Sequence, residues 1–173
     1  IERNLPMAPE MVLAIARRES EFDPKVRSGV GARGLMQIMP KTAAEVAEGL
    51  GRSDEHSTGR LTSDPSYNAD LGSAFLSTLA GRFNGNPVMM AAAYNAGPSR
   101  PTRWMELYGD PRKGADVVDW IEHIPFRETR NYVMRVTESL PIYRARLGKE
   151  PLPIPFLDEL KGSSLLAFAP KGK

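Results

Sequence analysis

The chain has 173 residues, long enough for one domain with a substantial core and short for two. Its 41% hydrophobic and 25% charged residues describe a folded globular protein, and a net charge of +2, from 23 basic against 21 acidic residues, is too small to argue for nucleic acid. The absence of cysteine excludes disulfides, thiolate chemistry and cysteine-based metal sites, and His56 and His123 fall in no HExxH-like spacing.

Helix signals dominate from the start. Pro9 suits a first helical turn, and Met11, Val12, Ile15 and Ala16 recur at helical spacing up to about Glu19. Residues 23–34 hold Pro24, Ser28, Gly29, Gly31 and Gly34, which is loop composition. The stretch Thr42 to Leu50 reads as a helix stopping near Gly51, followed by a polar loop from Arg52 to Ser63. Asp64-Pro65 opens a long helix with Tyr67, Leu71, Phe75, Leu79 and Phe83 four apart on one face. Asn86-Pro87 opens another, ended by Gly97-Pro98. Trp104, Leu107 and Tyr108 suggest a short helix, and a last long one runs from about Arg127 through Tyr132, Val133, Val136, Leu140 and Tyr143, with a kink expected at Pro141.

From Gly148 onward, Pro151, Pro153 and Pro155 predict an extended strap. No pair of alternating runs is long enough for a sheet, so the fold class is all-α. The longest apolar stretch, Val88 to Tyr94, is seven residues and too short for a bilayer. With Ile1 first and no basic-then-apolar leader, the chain reads as a processed or trimmed product, any export signal or upstream domain being out of view.

Four places carry candidate chemistry. Gly29-Val30-Gly31-Ala32-Arg33-Gly34 matches the dinucleotide pattern GxGxxG, but that fingerprint needs a buried strand before it, and here a helix and a Pro24-broken loop precede it. Glu19, in Arg17-Arg18-Glu19-Ser20, sits where its helix ends. A surface Glu paired with an arginine is the commonplace alternative. Against it, the negative end of the helix dipole is an unfavourable place for a carboxylate and favours the protonated acid, the state a general acid needs. Tyr94-Asn95 ends an alanine-rich helix, where a phenol and an amide suit sugar hydroxyls and acetamides. Ile124 to Val133 reads equally as an ordinary helix start, with Glu128 in its first turn.

At three of these places the sequence resembles the soluble lytic transglycosylases of bacterial cell walls, over roughly residues 8 to 147. Glu19-Ser20 with Phe22, Pro24, Ser28 and the run Gly31-Ala32-x-Gly34-Leu35-Met36-Gln37-Ile38-Met39-Pro40 looks like the first signature of that family. Ala92 to Pro98 resembles the second, and Ile124-Pro125-Phe126-x-Glu128-Thr129-Arg130-x-Tyr132-Val133 the third. The resemblance implies a lysozyme-like helical domain over 1–147, a Pro-rich tail over 148–173, and a long substrate groove. It implies non-hydrolytic cleavage of the β-1,4 bond between N-acetylmuramic acid and N-acetylglucosamine, leaving a 1,6-anhydromuramoyl end. Glu19 falls on the family's catalytic glutamate. Ser28, Gln37, Met39, Tyr94 and Glu128 fall on groove positions, with Asn95 and Tyr132 as further neighbours. Arg33 departs from the pattern, which has a smaller residue there, and would narrow or charge the groove edge.

The expected partner is the glycan strand of peptidoglycan, outside the cytoplasm, with no nucleic acid, metal or organic cofactor. A hydrolytic muramidase on the same fold and a non-catalytic wall-binding module are the competing readings. A helical nucleic-acid binder is disfavoured because basic and acidic residues interleave and form no stripe.

Overall fold

A computed structural model describes residues 4–172, and the chain divides into two compact units, Ile1–Phe75 and Leu76–Lys173. Every element is helical: α1 Pro9–Ser20, α2 Pro40–Gly49, α3 Arg60–Ser63, α4 Pro65–Arg82, α5 Pro87–Ala96, α6 Ser99–Tyr108, α7 Val117–Glu122, α8 Arg127–Arg146 and α9 Phe156–Lys161. Two 3-10 turns, Ser53–Glu55 and Leu166–Phe168, complete the set, and among the described residues the extended pairing is limited to isolated bridges. None of the described helices is long and apolar enough to cross a membrane.

In the first unit, α1 begins with Pro9, whose missing N–H is harmless in a first turn, and buries Met11, Val12, Ile15 and Ala16. The segment expected to be a polar loop, 52–63, instead holds a 3-10 turn and α3. The reason is a charge cluster around one buried ring. Arg60 and Arg52 lie 4.0 and 5.3 Å from the Tyr67 centroid, and His56 Nδ1 meets its hydroxyl at 2.6 Å. Arg60 also pairs with Asp64 at 2.9 Å, and Arg52 with Asp70 at 3.3 Å. Polar composition hid an ordered segment.

In the second unit α5 is the central helix. Pro87 to Ala93 are buried on all sides, and α6, α8 and α9 pack against it. Asn86 caps it by accepting from Met89 N at 2.9 Å. Helix α8 runs on through Pro141 to Arg146. Val133, Val136 and Leu140 are fully buried against the unit, packing that offsets the one hydrogen bond proline removes.

The expectation of an extended strap after Gly148 is wrong. Pro155 stands just before α9, where no backbone N–H is required, and α9 turns Glu159 and Leu160 inward at 1% and 5% exposure. Glu159 forms a buried bidentate ion pair with Arg144 of α8. Asn86 Nδ2 donates to the carbonyls of Leu160 and Gly162 at 2.9 and 2.8 Å, and Ser77 donates to Phe168 O at 2.6 Å. The tail therefore belongs to the core of its unit.

Candidate functional site

Glu19 is the next-to-last residue of α1 and is half-buried. The chain leaves the helix through two consecutive left-handed residues, Glu21 at φ 52° and Phe22 at φ 67°, a conformation uncommon without glycine. Ser20 makes this exit rigid. Its hydroxyl donates to Leu35 O at 2.6 Å, with Ala16 O at 3.2 Å as a second acceptor, tying the end of α1 to the loop that carries the first signature.

That loop is braced from within. Gln37, itself at φ 48°, donates through Nε2 to Val26 O and Gly34 O at 3.0 and 2.9 Å. Its Oε1 has no partner among the described residues and is left as an acceptor. Ser28 Oγ accepts from Ala32 N at 3.0 Å, which leaves its proton to donate. Asn68, fully buried on α4, accepts from Met36 N at 2.9 Å and donates to Arg33 O and Leu61 O at 3.0 and 2.9 Å. Met39 stands 41% exposed at the start of α2. Arg33 sits in the centre of two antiparallel bridges, to Arg27 and Ile38, and its buried Nε has no hydrogen-bond partner. The GxGxxG match lies in this loop, after a helix and not after a strand.

In the second unit Tyr94 and Asn95 occupy the last turn of α5, both half-buried, and Gly97 at φ 89° ends the helix. Glu128 and Thr129 lie in the first turn of α8, Glu128 exposed and Thr129 buried. The Thr129 hydroxyl donates to Asn95 Oδ1 at 2.7 Å, joining the second and third signatures directly. Tyr132 is 3% exposed and belongs to the packed interior of this unit. The entry to α8 is fixed by Phe126, whose ring meets Trp104 edge-on at 5.7 Å and lies under the Arg100 guanidinium at 4.5 Å.

Three supporting residues escaped the sequence reading. Ser20 and Thr129 stood inside the quoted signatures but had no assigned role. Asn68 had a usable signal, an amide beside Tyr67 on the apolar side of a long helix, where burial demands partners.

Comparison with known proteins places the first two signatures within a family profile. The family profile described as Transglycosylase SLT domain matches residues 2–116. The soluble lytic murein transglycosylase of Escherichia coli strain K12 is 42% identical over 139 residues, covering 80% of this chain and 21% of its own length. The crystal structure of the 70-kDa soluble lytic transglycosylase of Escherichia coli superposes with a TM-score of 0.78 at 39% identity, covering 84% of this chain and 23% of that one. An inactive glutamate-to-glutamine mutant of the lytic transglycosylase Slt of Pseudomonas aeruginosa superposes with a TM-score of 0.73 at 41% identity, covering 88% and 23%. The chain thus spans between about a fifth and two fifths of the length of the curated relatives it matches. The all-α, lysozyme-like fold expected from the sequence is the fold found.

Proposed function

Since the chain belongs to the transglycosylase SLT family, we propose that it cleaves the β-1,4 bond between N-acetylmuramic acid and N-acetylglucosamine of peptidoglycan without adding water. The observation that carries this reading is Glu19 itself, a half-buried carboxylate at the end of α1 beside a hydroxyl that ties it to a braced glycine-rich loop. That a related enzyme is inactive with one glutamate changed to glutamine supports an essential glutamate in the chemistry.

Glycosidases generally use two carboxylates, one as acid and one as base or nucleophile. In the mechanism proposed here the substrate supplies the second group. Protonated Glu19 gives its proton to the leaving glycosidic oxygen as the muramoyl 2-acetamido oxygen attacks the anomeric carbon. The ionised Glu19 then takes the proton of the muramoyl 6-hydroxyl as that oxygen displaces the acetamido oxygen, closing the 1,6-anhydro ring. Tyr94 holds the reacting acetamido group in line, and exposed Glu128 accepts hydrogen bonds from sugar or peptide. Ser28, Gln37 and Met39 line the path of the chain, with Asn95 and the largely buried Tyr132 beside it. Such a substrate places the protein outside the cytoplasm.

The test is mass spectrometry of murein sacculi digested with the purified chain. Anhydromuramoyl products, lighter by one water than the hydrolysed ones, are expected. Hydrolysed ends would make the protein a muramidase on the same fold, and binding without cleavage would make it a wall-binding module.

A further inference from the structure

A side-chain amide is two-ended. Turned one way it offers a carbonyl acceptor, and turned the other way two N–H donors, so its orientation decides what it recognises. Asn95 has that choice removed. The Thr129 hydroxyl donates to Asn95 Oδ1 at 2.7 Å, and Thr129 is 2% exposed, on a helix packed directly against the one that carries Asn95. The Nδ2 group of Asn95 has no acceptor among the described residues, and the side chain is half-buried and not sealed off.

We propose that Thr129 is a positioning residue that fixes Asn95 as a hydrogen-bond donor for the carbonyl oxygen of an N-acetyl group on the glycan. The proposal rests on the cleavage reading above. A sugar hydroxyl both gives and accepts, and would be served by either end of the amide. A carbonyl oxygen only accepts, and only the orientation Thr129 enforces can meet it. The acetamido group recognised is not the one that attacks, because a donated hydrogen bond would draw electron density from the oxygen that must act as nucleophile. Of the non-reacting acetamido groups on the strand, the one assigned is that of N-acetylglucosamine, and Asn95 contributes to binding that sugar in the ground state as well as in the transition state.

The experiment is steady-state kinetics on a soluble muropeptide oligomer, with product mass recorded for each variant. Thr129→Val keeps the shape and removes the donor, and should raise KM about tenfold with kcat within about twofold, the value of one positioned hydrogen bond. Thr129→Ser should restore the wild-type KM. Asn95→Asp, which keeps the acceptor for Thr129 and loses the donors, should raise KM at least as much as Thr129→Val. Adding Thr129→Val to Asn95→Ala should change nothing further, because Thr129 acts only through Asn95. An oligomer with N-deacetylated glucosamine and intact muramoyl acetamido groups should lower wild-type affinity and leave Asn95→Ala indifferent. A full Thr129→Val defect in the Asn95→Ala background, an unaffected KM in Thr129→Val, or equal wild-type affinity for the deacetylated oligomer would overturn the proposal. Anhydromuramoyl products from the wild type alongside any of those results leave the cleavage reading standing, whereas their absence from the wild-type digest removes that reading itself.

Discussion

A Cβ placed on Gly34 would lie 2.0 Å from Leu61 O and 2.4 Å from Asn68 Nδ2, and the residue's φ is 77°. Both facts act together: no L side chain fits the space, and few tolerate the conformation. Its amide also donates to Val26 O at 2.8 Å, and its carbonyl accepts from Gln37. Gly34→Ala should therefore destabilise the chain by roughly 2–4 kcal/mol, with strain and a displaced Asn68 as the causes. Urea unfolding measures the loss, and a variant within 0.5 kcal/mol of wild type, inside the usual surface range of about ±0.5 kcal/mol, would show that the loop relaxes around it. Glu19→Gln asks the opposite question at the same loop. The amide is nearly isosteric, so the melting temperature should stay near wild type while cleavage of sacculi falls by about 10²–10⁴-fold or more, because the residue can neither give nor take the proton. Clearance near the wild-type rate would remove Glu19 from the catalytic role.

Between elements, the segment after α6 is held by one clasp. Arg112 donates to Asp110 Oδ1 at 3.0 Å and Oδ2 at 2.9 Å, and its remaining nitrogen reaches Phe83 O at 3.0 Å. The side-chain hydrogen bond from Arg112 holds the Asp110 carboxyl below the ordinary carboxylate value, against the opposing effect of burial. A carboxyl depressed in the folded state contributes stability above its unfolded pKa and loses it as pH falls through the folded value. Asp110→Asn should then be less stable than wild type by about 1–2 kcal/mol at neutral pH, and the gap should close below about pH 4. Denaturant unfolding of both proteins across that range checks the sign, and a gap that widens in acid would refute the clasp. Nothing in the sequence announced this contact, because it joins a loop to the carbonyl of a residue 29 positions away. By contrast α1, α4, α5 and α8 were legible, the first three from a proline in the first turn and α8 from its long run of apolar residues at helical period. The two short helices α3 and α7 were not. Four and six residues are too few to show a period, and tertiary contacts hold them.

At the scale of the whole chain, proline content misled the reading of residues 148–173, and the consequence reaches the candidate site. Asn86 starts α5 by capping Met89 N, and its other amide end is held by two tail carbonyls, those of Leu160 and Gly162. Gly85, one residue earlier, admits the tail so closely that a Cβ there would lie 2.0 Å from Leu166 N, and its carbonyl accepts from Leu165 N at 3.0 Å. The helix that carries Tyr94 and Asn95 at one end is thus anchored by the tail at the other. The tail also covers the Arg144 guanidinium, 6% exposed, and supplies Glu159 as a carboxylate partner. Breaking a buried pair from one side costs about 3–5 kcal/mol, comparable with the whole stability of a marginal domain, about 5–15 kcal/mol. A chain lacking residues 149–173 should unfold at a much lower temperature than the full chain or fail to fold, and Glu159→Gln in the full chain should reproduce roughly 3–5 kcal/mol of that loss alone. Thermal unfolding followed by circular dichroism, together with cleavage of sacculi, separates the outcomes. An extended strap laid on a finished domain could be removed with almost no change in melting temperature or rate, whereas a tail that completes the core takes both away.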